Sequence, residues 1–198
     1  MTVPGTEADR MSPSDAADHV DAPGASRRDM ALGRLVALAT APVVLIADVA
    51  SKGAAQSALE PGAAVAIVGN VLQLRLGFNS GVAFGMLANS GDLVVWLTAL
   101  IGIALTVWLV RLFRSGAGWR RTLPLGLIIG GAFGNVLDRL PDGLVTDFID
   151  TGLGAMRWPS FNIADSAIVV GVLALIVFGQ EGPKAREAEG KSRPGAEG

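Results

Sequence analysis

The chain has 198 residues, of which 51% are hydrophobic and only 17% are charged, and its formal net charge is -2. Soluble domains carry about 25% charged residues, so this composition indicates a membrane protein, and the small net charge gives no indication of a nucleic-acid partner. The absence of Cys excludes disulfides, thiolate metal sites and a Cys nucleophile, and the single histidine, His19, argues against a His-based triad or a multi-His metal site.

The N-terminal part of the chain predicts a tail followed by a membrane span. Residues 1–29 are rich in Pro, Gly, Ser, Ala and Asp without apolar periodicity, so we predict a disordered tail. The first apolar segment runs from about Ala31 to Leu59 and stops before Pro61. It contains a small-residue stretch like a signal-peptide cleavage site, but Pro42 follows directly and Pro there usually blocks cleavage. The segment is therefore predicted to be a retained span.

The next segment, residues 61–92, is a long loop with a strand signal. Residues 71–76 alternate so that Leu72, Leu74 and Leu76 fall on one side. Turn signals flank this stretch at residues 69–70 and 79–81. The pattern predicts a small sheet at the outer surface of the membrane.

Three more apolar segments complete a predicted bundle of four helices. Residues 93–110 contain no charge and, at about 1.5 Å per residue, can cross a hydrocarbon core of about 30 Å. The third segment covers residues 123–140 and the fourth covers residues 161–179. Residues 181–198 resemble the N-terminal tail in composition. We predict one four-helix transmembrane domain over residues 30–180, between two disordered cytoplasmic tails.

The distribution of Lys and Arg predicts the orientation of this bundle. Cations concentrate before the first span, between the second and third spans, and after the fourth span. They are fewer in the other two loops. By the positive-inside rule both termini are cytoplasmic, and residues 61–92 and the segment between spans three and four face outward.

Polar side chains gather at one predicted depth, the outward end of the bundle. Ionisable groups cost about 2.5–3.5 kcal/mol each at mid-membrane, so a cluster of them near hydrocarbon indicates a site. In a chain without Cys and with its only His in the tail, two carboxylates are the most economical catalytic set, because a close pair shares one proton and can act as acid and base. The cluster comprises Asp48, Lys52, Asn135, Asp138, Arg139, Asp147, Asp150, Asn162 and Asp165.

Most members of the cluster also have a purely structural interpretation, and Asp147 by itself could be an ordinary interfacial acid. Asn162 can cap the fourth helix, with Asp165 at the third position of that helix. Asp48 and Lys52 have the i, i+4 spacing of a simple ion pair. The polar residues at the end of the third span fit a supporting role better than a catalytic one.

Five sequence blocks, in order, resemble the motif set of lipoprotein signal peptidases (signal peptidase II). The resemblance covers about residues 35–179 and implies four transmembrane helices with an outward β-cradle and a short outward helix near Asp147. It implies a bacterial inner-membrane aspartic endopeptidase without a metal or other cofactor, which cuts diacylglyceryl-prolipoproteins just before the lipidated cysteine. The blocks are Asp48–Lys52, Asn79–Gly85, Gly134–Arg139, Val145–Asp150 and Phe161–Ser166.

The resemblance also implies roles for single residues. The family's catalytic dyad falls on Asp147 and Asp165, with Asp150 as the competing carboxylate. Membrane lipids and the prolipoprotein are the expected partners, and we expect a monomer. The supporting or substrate-binding positions are Asp48, Lys52, Asn79, Gly81, Asn135, Asp138, Arg139 and Asn162.

Three other functions stay open at this level. The polar cluster is also what a small transporter or channel uses, although its charges lie at one depth. A peptidase with a Ser-Lys dyad would use Lys52 and one serine, and in a scaffold protein the cluster would only hold helices together. The candidate serines are Ser51, Ser57, Ser80 and Ser166.

Overall fold

The computed structural model describes residues 26–80 and 91–179, so Gly81, Gly85 and most of both tails lie outside the described residues. The described part forms helices and short strands in the order α1 (Arg27–Ala58), β1 (Ala64–Val68), β2 (Leu72–Asn79), α2 (Gly91–Arg114), α3 (Trp119–Arg139), β3 (Val145–Leu153), β4 (Met156–Arg157) and α4 (Ile163–Gly179). Helix α1 begins before the predicted tail boundary at residue 29. The reason is a cap: the Ser26 side chain accepts a hydrogen bond from the Asp29 N–H at 3.1 Å.

Helix α3 lies at the centre and contacts α1, α2 and α4. Its glycines permit this close approach. A Cβ on Gly130 would lie 2.7 Å from the carbonyl oxygen of Ala41 on α1, and a Cβ on Gly131 would collide with the carbonyl oxygen of Ala164 on α4. Small residues that bring helix backbones together are typical of helix packing in membranes.

The outer surface of the helices is apolar as well as the interior. Leu38 on α1, Trp96 on α2 and Leu173 on α4 are all exposed, whereas Leu125 on α3 is fully buried. Two of the described helices, Arg27–Ala58 and Leu93–Arg114, are long and apolar enough to cross a membrane. Exposed apolar surface on this scale requires lipid or a partner to cover it.

The sheet is antiparallel, with strand order β1-β2-β3-β4. The sequence predicted strands only within residues 61–92, and that prediction was too narrow, because β3 and β4 come from the segment between α3 and α4. Pairing with β3 satisfies the second edge of β2, whose backbone groups would otherwise need other partners. The register places Gly77 opposite Asp147 and Asn79 opposite Val145, with an irregularity between Leu74 and Gly77.

The short helix expected near Asp147 is not found between α3 and α4. Residues 140–162 are all described and contain β3 and β4 but no helix. β-branched and aromatic residues surround Asp147 in the sequence Val145–Ile149 and favour a strand. Asp147 therefore lies on a strand that packs against the end of the helix bundle.

Candidate active site

Asp147 is buried at the end of the sheet next to the helices, with 5% of its surface exposed. Its Oδ2 accepts a hydrogen bond from Asn79 Nδ2 at 3.3 Å, and its Oδ1 accepts one from Asn162 Nδ2 at 2.9 Å. Burial, followed by the negative charge of Asp165, raises the pKa of Asp147 to about 6, although the two amide donors partly oppose that rise. Asp147 is thus a carboxyl group that holds its proton under mildly acidic conditions.

Asp165 lies in the first turn of α4 and takes part in a reciprocal cap. Its backbone N–H donates to Asn162 Oδ1 at 2.9 Å, and its Oδ2 accepts from the Asn162 N–H at 3.3 Å. This arrangement confirms the predicted capping role of Asn162. The other oxygen, Oδ1, accepts from Asn135 Nδ2 at 2.8 Å, so one carboxylate both caps the helix and is oriented by α3.

The Asn162 side chain connects the two acids. It is fully buried, and its amide accepts from the Asp165 backbone while donating to the Asp147 carboxylate. The same Nδ2 also lies 3.2 Å from Asn135 Oδ1. The buried amide thus links the Asp147 carboxylate to the backbone of Asp165, and breaking either hydrogen bond in this dry environment is costly.

Lys52 organises the helices behind this pair. Its Nζ contacts Asp48 Oδ2 at 2.7 Å, Asn135 Oδ1 at 3.0 Å and Asp138 Oδ2 at 3.3 Å. The ion pair predicted between Asp48 and Lys52 is therefore present, and Asp48 Oδ1 also accepts the Ala164 N–H at 2.8 Å. These contacts join α1 to α3 and α4 at the depth of the two acids.

The arrangement around Lys52 does not favour a Ser-Lys dyad. An ammonium group has three hydrogens, and three acceptors surround this one. Ser51, Ser57 and Ser166 each donate their hydroxyl to a backbone carbonyl of their own helix or its cap, at 2.9–3.0 Å. None of these three serines is directed at Lys52.

Of the remaining predicted residues, Arg139 lies at the site and Asp150 does not. Arg139 is buried and donates from Nη1 to the Asn135 carbonyl at 3.3 Å, and its charge interacts with both Asp165 and Asp147. Asp150 instead pairs with Arg157, at 2.9 Å, and its other oxygen lies 3.6 Å from Arg75 Nε. Because residues three apart on a strand point to opposite faces, Asp150 is not brought to the site of Asp147.

Two residues at the site were not identified from the sequence. Thr146 is almost fully buried, and its hydroxyl accepts a hydrogen bond from Gln56 Nε2 at 2.7 Å. Gln56 continues the spacing of Asp48 and Lys52 by one more turn of α1, so a polar stripe with a period of four was the available signal. Among residues 26–80 and 91–179, no three His, Cys, Asp or Glu side chains come together as a metal site.

Residues 40–179 match the family model of signal peptidase II, Peptidase_A8. The chain belongs to the signal peptidase II family. Curated lipoprotein signal peptidases are similar over most of their length. That of Xanthomonas campestris pv. campestris is 41% identical over 159 residues, covering 78% of this chain and 94% of the relative, and that of Polynucleobacter necessarius is 41% identical over 156 residues, covering 78% and 92%.

Two solved structures of bacterial membrane enzymes have a similar fold. One has a TM-score of 0.64 and 28% identity and covers 81% of this chain and 94% of its own. The other has a TM-score of 0.61 and 31% identity, covering 71% and 90%. As a signal peptidase II family member the chain is a protease, which decides against the transporter and scaffold alternatives.

Proposed function

We propose that the chain releases signal peptides from diacylglyceryl-modified prolipoproteins, with Asp147 and Asp165 activating one water molecule. The observation that carries this proposal is that buried Asn162 contacts both acids. Its Nδ2 donates to the Asp147 carboxylate, its backbone N–H donates to Asp165 Oδ2, and its Oδ1 accepts the Asp165 backbone N–H. The relatives named lipoprotein signal peptidase support the substrate class.

The electrostatics assign a role to each acid. Asp147, with its pKa raised to about 6, is the member that holds the shared proton and donates it to the oxygen of the scissile carbonyl. Asp165 accepts a proton from the water that attacks the carbonyl carbon. The tetrahedral diol then collapses: the C–N bond breaks as the proton on Asp165 passes to the leaving amine. One diol hydroxyl returns its proton to Asp147 as the new carboxylic acid forms. Substrate binding removes further water, which favours the protonated form of Asp147.

The site belongs at the outward face of the bacterial inner membrane. Helix α3 has 21 residues and α4 has 17, which correspond to about 32 and 26 Å and approach the thickness of a hydrocarbon core. Four arginines lie at the opposite end of the bundle from the two acids: Arg111, Arg114, Arg120 and Arg121. The positive-inside rule makes that end cytoplasmic, together with both termini. Four spans and a single peptidase domain over residues 30–180 are part of this proposal.

The exposed apolar helix faces suit the remainder of the substrate. A signal-peptide helix and two acyl chains are apolar and already reside in the membrane, so they reach the site laterally along surfaces such as Trp96 and Leu173. The proposed mechanism uses two acids and one water molecule and does not call on a metal ion or other cofactor. A single copy of the chain supplies both acids, so the proposed mechanism requires no second copy.

The test is cleavage of a purified diacylglyceryl-prolipoprotein by the purified full chain. Asp147→Asn and Asp165→Asn should each abolish cleavage while the protein still inserts and unfolds cooperatively. Asp142→Asn is the matched control, because Asp142 is exposed in the turn before β3 and only accepts the Leu144 N–H. Activity near the wild-type level in either dyad variant would refute the assignment.

A further inference from the structure

Thr146, the residue before Asp147, is held by side chains from three helices or their caps. Its backbone N–H donates to Asp138 Oδ2 at 2.6 Å, and its carbonyl oxygen accepts from Asn162 Nδ2 at 3.3 Å. Its hydroxyl accepts from Gln56 Nε2 at 2.7 Å and lies 3.5 Å from Asp138 Oδ1. Thr146 is therefore the point at which strand β3 is attached to the bundle.

The direction of the bonds at this hydroxyl is set by Gln56. An amide nitrogen only donates, so the hydroxyl proton is left to point toward Asp138 Oδ1. Asp138 contacts Lys52, and Lys52 donates to Asn135, whose amide donates to Asp165. A continuous series of polar contacts thus runs from an exposed glutamine on α1, through the residue before the first acid, to the second acid.

We propose that Gln56 and Thr146 are positioning residues that set the distance between the two acids by clamping the start of β3 to α1 and α3. This inference rests on the proposed function of Asp147 and Asp165. Neither residue touches the reacting atoms. The clamp acts on the geometry of catalysis, so its loss lowers kcat and leaves KM near its original value.

The experiment compares variants of the full chain in the same cleavage assay. Thr146→Val keeps the shape and removes the hydroxyl, Thr146→Ser keeps the hydroxyl, and Gln56→Leu removes only the amide. Thr146→Val should lower kcat about tenfold with KM changed less than about twofold, because sub-ångström misplacement of a reacting group is costly. Thr146→Ser should restore most of kcat. Ser57→Ala is the control on the same turn of α1, since its exposed hydroxyl donates only to Ala54.

A double variant tests whether the two residues act through one bond. If Gln56 acts only through the Thr146 hydroxyl, the kcat of Gln56→Leu combined with Thr146→Val equals that of Thr146→Val alone. Wild-type kcat in Thr146→Val or Gln56→Leu, or additive losses in the double variant, would overturn the clamp. If Thr146→Val does not fold, the kcat of Gln56→Leu tests the clamp alone, because Gln56 is exposed and its replacement does not disturb the core.

The parallel Asp147→Asn variant separates this inference from the proposed function. If Asp147→Asn is inactive and both clamp variants are fully active, only the clamp is wrong. If Asp147→Asn is active, the proposed dyad is wrong and the clamp is refuted with it.

Discussion

Replacing Asn162 by alanine should reduce both the stability of the protein and the alignment of its two acids. The substitution removes the cap of α4, which is worth about 0.5–2 kcal/mol. It also removes the buried hydrogen bond to the Asp147 carboxylate, and a bond to a charged group is worth about 1.5–3 kcal/mol. The free energy of unfolding should therefore fall by about 2–5 kcal/mol.

Asn162→Ser separates the two contributions. Serine is among the preferred capping residues, so it should recover about 1 kcal/mol of the loss, but its short hydroxyl cannot also reach Asp147 as the amide does. Without that donor the ionised form of Asp147 loses support, so its pKa rises further above its ordinary value. In the proposed mechanism the active pair keeps its proton on Asp147, so the alkaline limb of the activity profile should move to higher pH.

The measurements are unfolding in mixed detergent micelles and the pH dependence of kcat/KM for cleavage. The expected order of stability is wild type, then Asn162→Ser, then Asn162→Ala. Both variants should lose at least tenfold in kcat, because the acids are no longer held by a shared group. If Asn162→Ser keeps the wild-type kcat and pH profile, Asn162 is only a helix cap, and the argument that it links Asp147 to Asp165 fails.

Three other variants test separate parts of the structure. Gly134→Ala should destabilise the protein by about 1–3 kcal/mol, because the added Cβ would lie 2.6 Å from a carboxylate oxygen of Asp48. The control Gly53→Ala meets nothing within 4 Å and should stabilise the protein by up to about 1 kcal/mol. Equal unfolding curves for the two variants would contradict this packing. Asn79→Ala should move the alkaline limb of the pH–rate profile upward, since its amide lowers the pKa of Asp147, and an unchanged or lower midpoint in pH-dependent cleavage would count against the contact. Asp150→Asn should cost about 1–3 kcal/mol of stability, because the buried carboxylate loses its charged bond to Arg157. Cleavage should stay intact, and loss of cleavage would transfer a catalytic role to Asp150.

The parts of the site that the sequence predicted are those set by local spacing. The i, i+4 ion pair of Asp48 and Lys52 and the cap formed by Asn162 depend only on helix geometry, so a helix prediction was enough to place them. The alternation of Leu72, Leu74 and Leu76 likewise indicated strand β2.

What the sequence did not predict depends on pairing between distant segments. Strand β3 is buried almost continuously over its first six residues, and such a segment has no periodicity that distinguishes a strand from a loop between two helices. Without β3, the opposite directions of Asp147 and Asp150 could not be derived, and neither could the contact between Gln56 and Thr146, which are 90 residues apart. The five motif blocks supplied the positions of the acids, and only the tertiary fold supplied their surroundings.

The origin of the sheet in two separate segments has a consequence for biosynthesis. Asn79 and Asp147 are 68 residues apart, with α2 and α3 between them, and Asp165 follows on the last helix. A chain emerging from the ribosome cannot close β2 onto β3 until both intervening helices have been made, and it acquires its second acid only with α4. With Asp147 and Asp165 as the proposed dyad, the chain can cleave a substrate only when its final helix is in place.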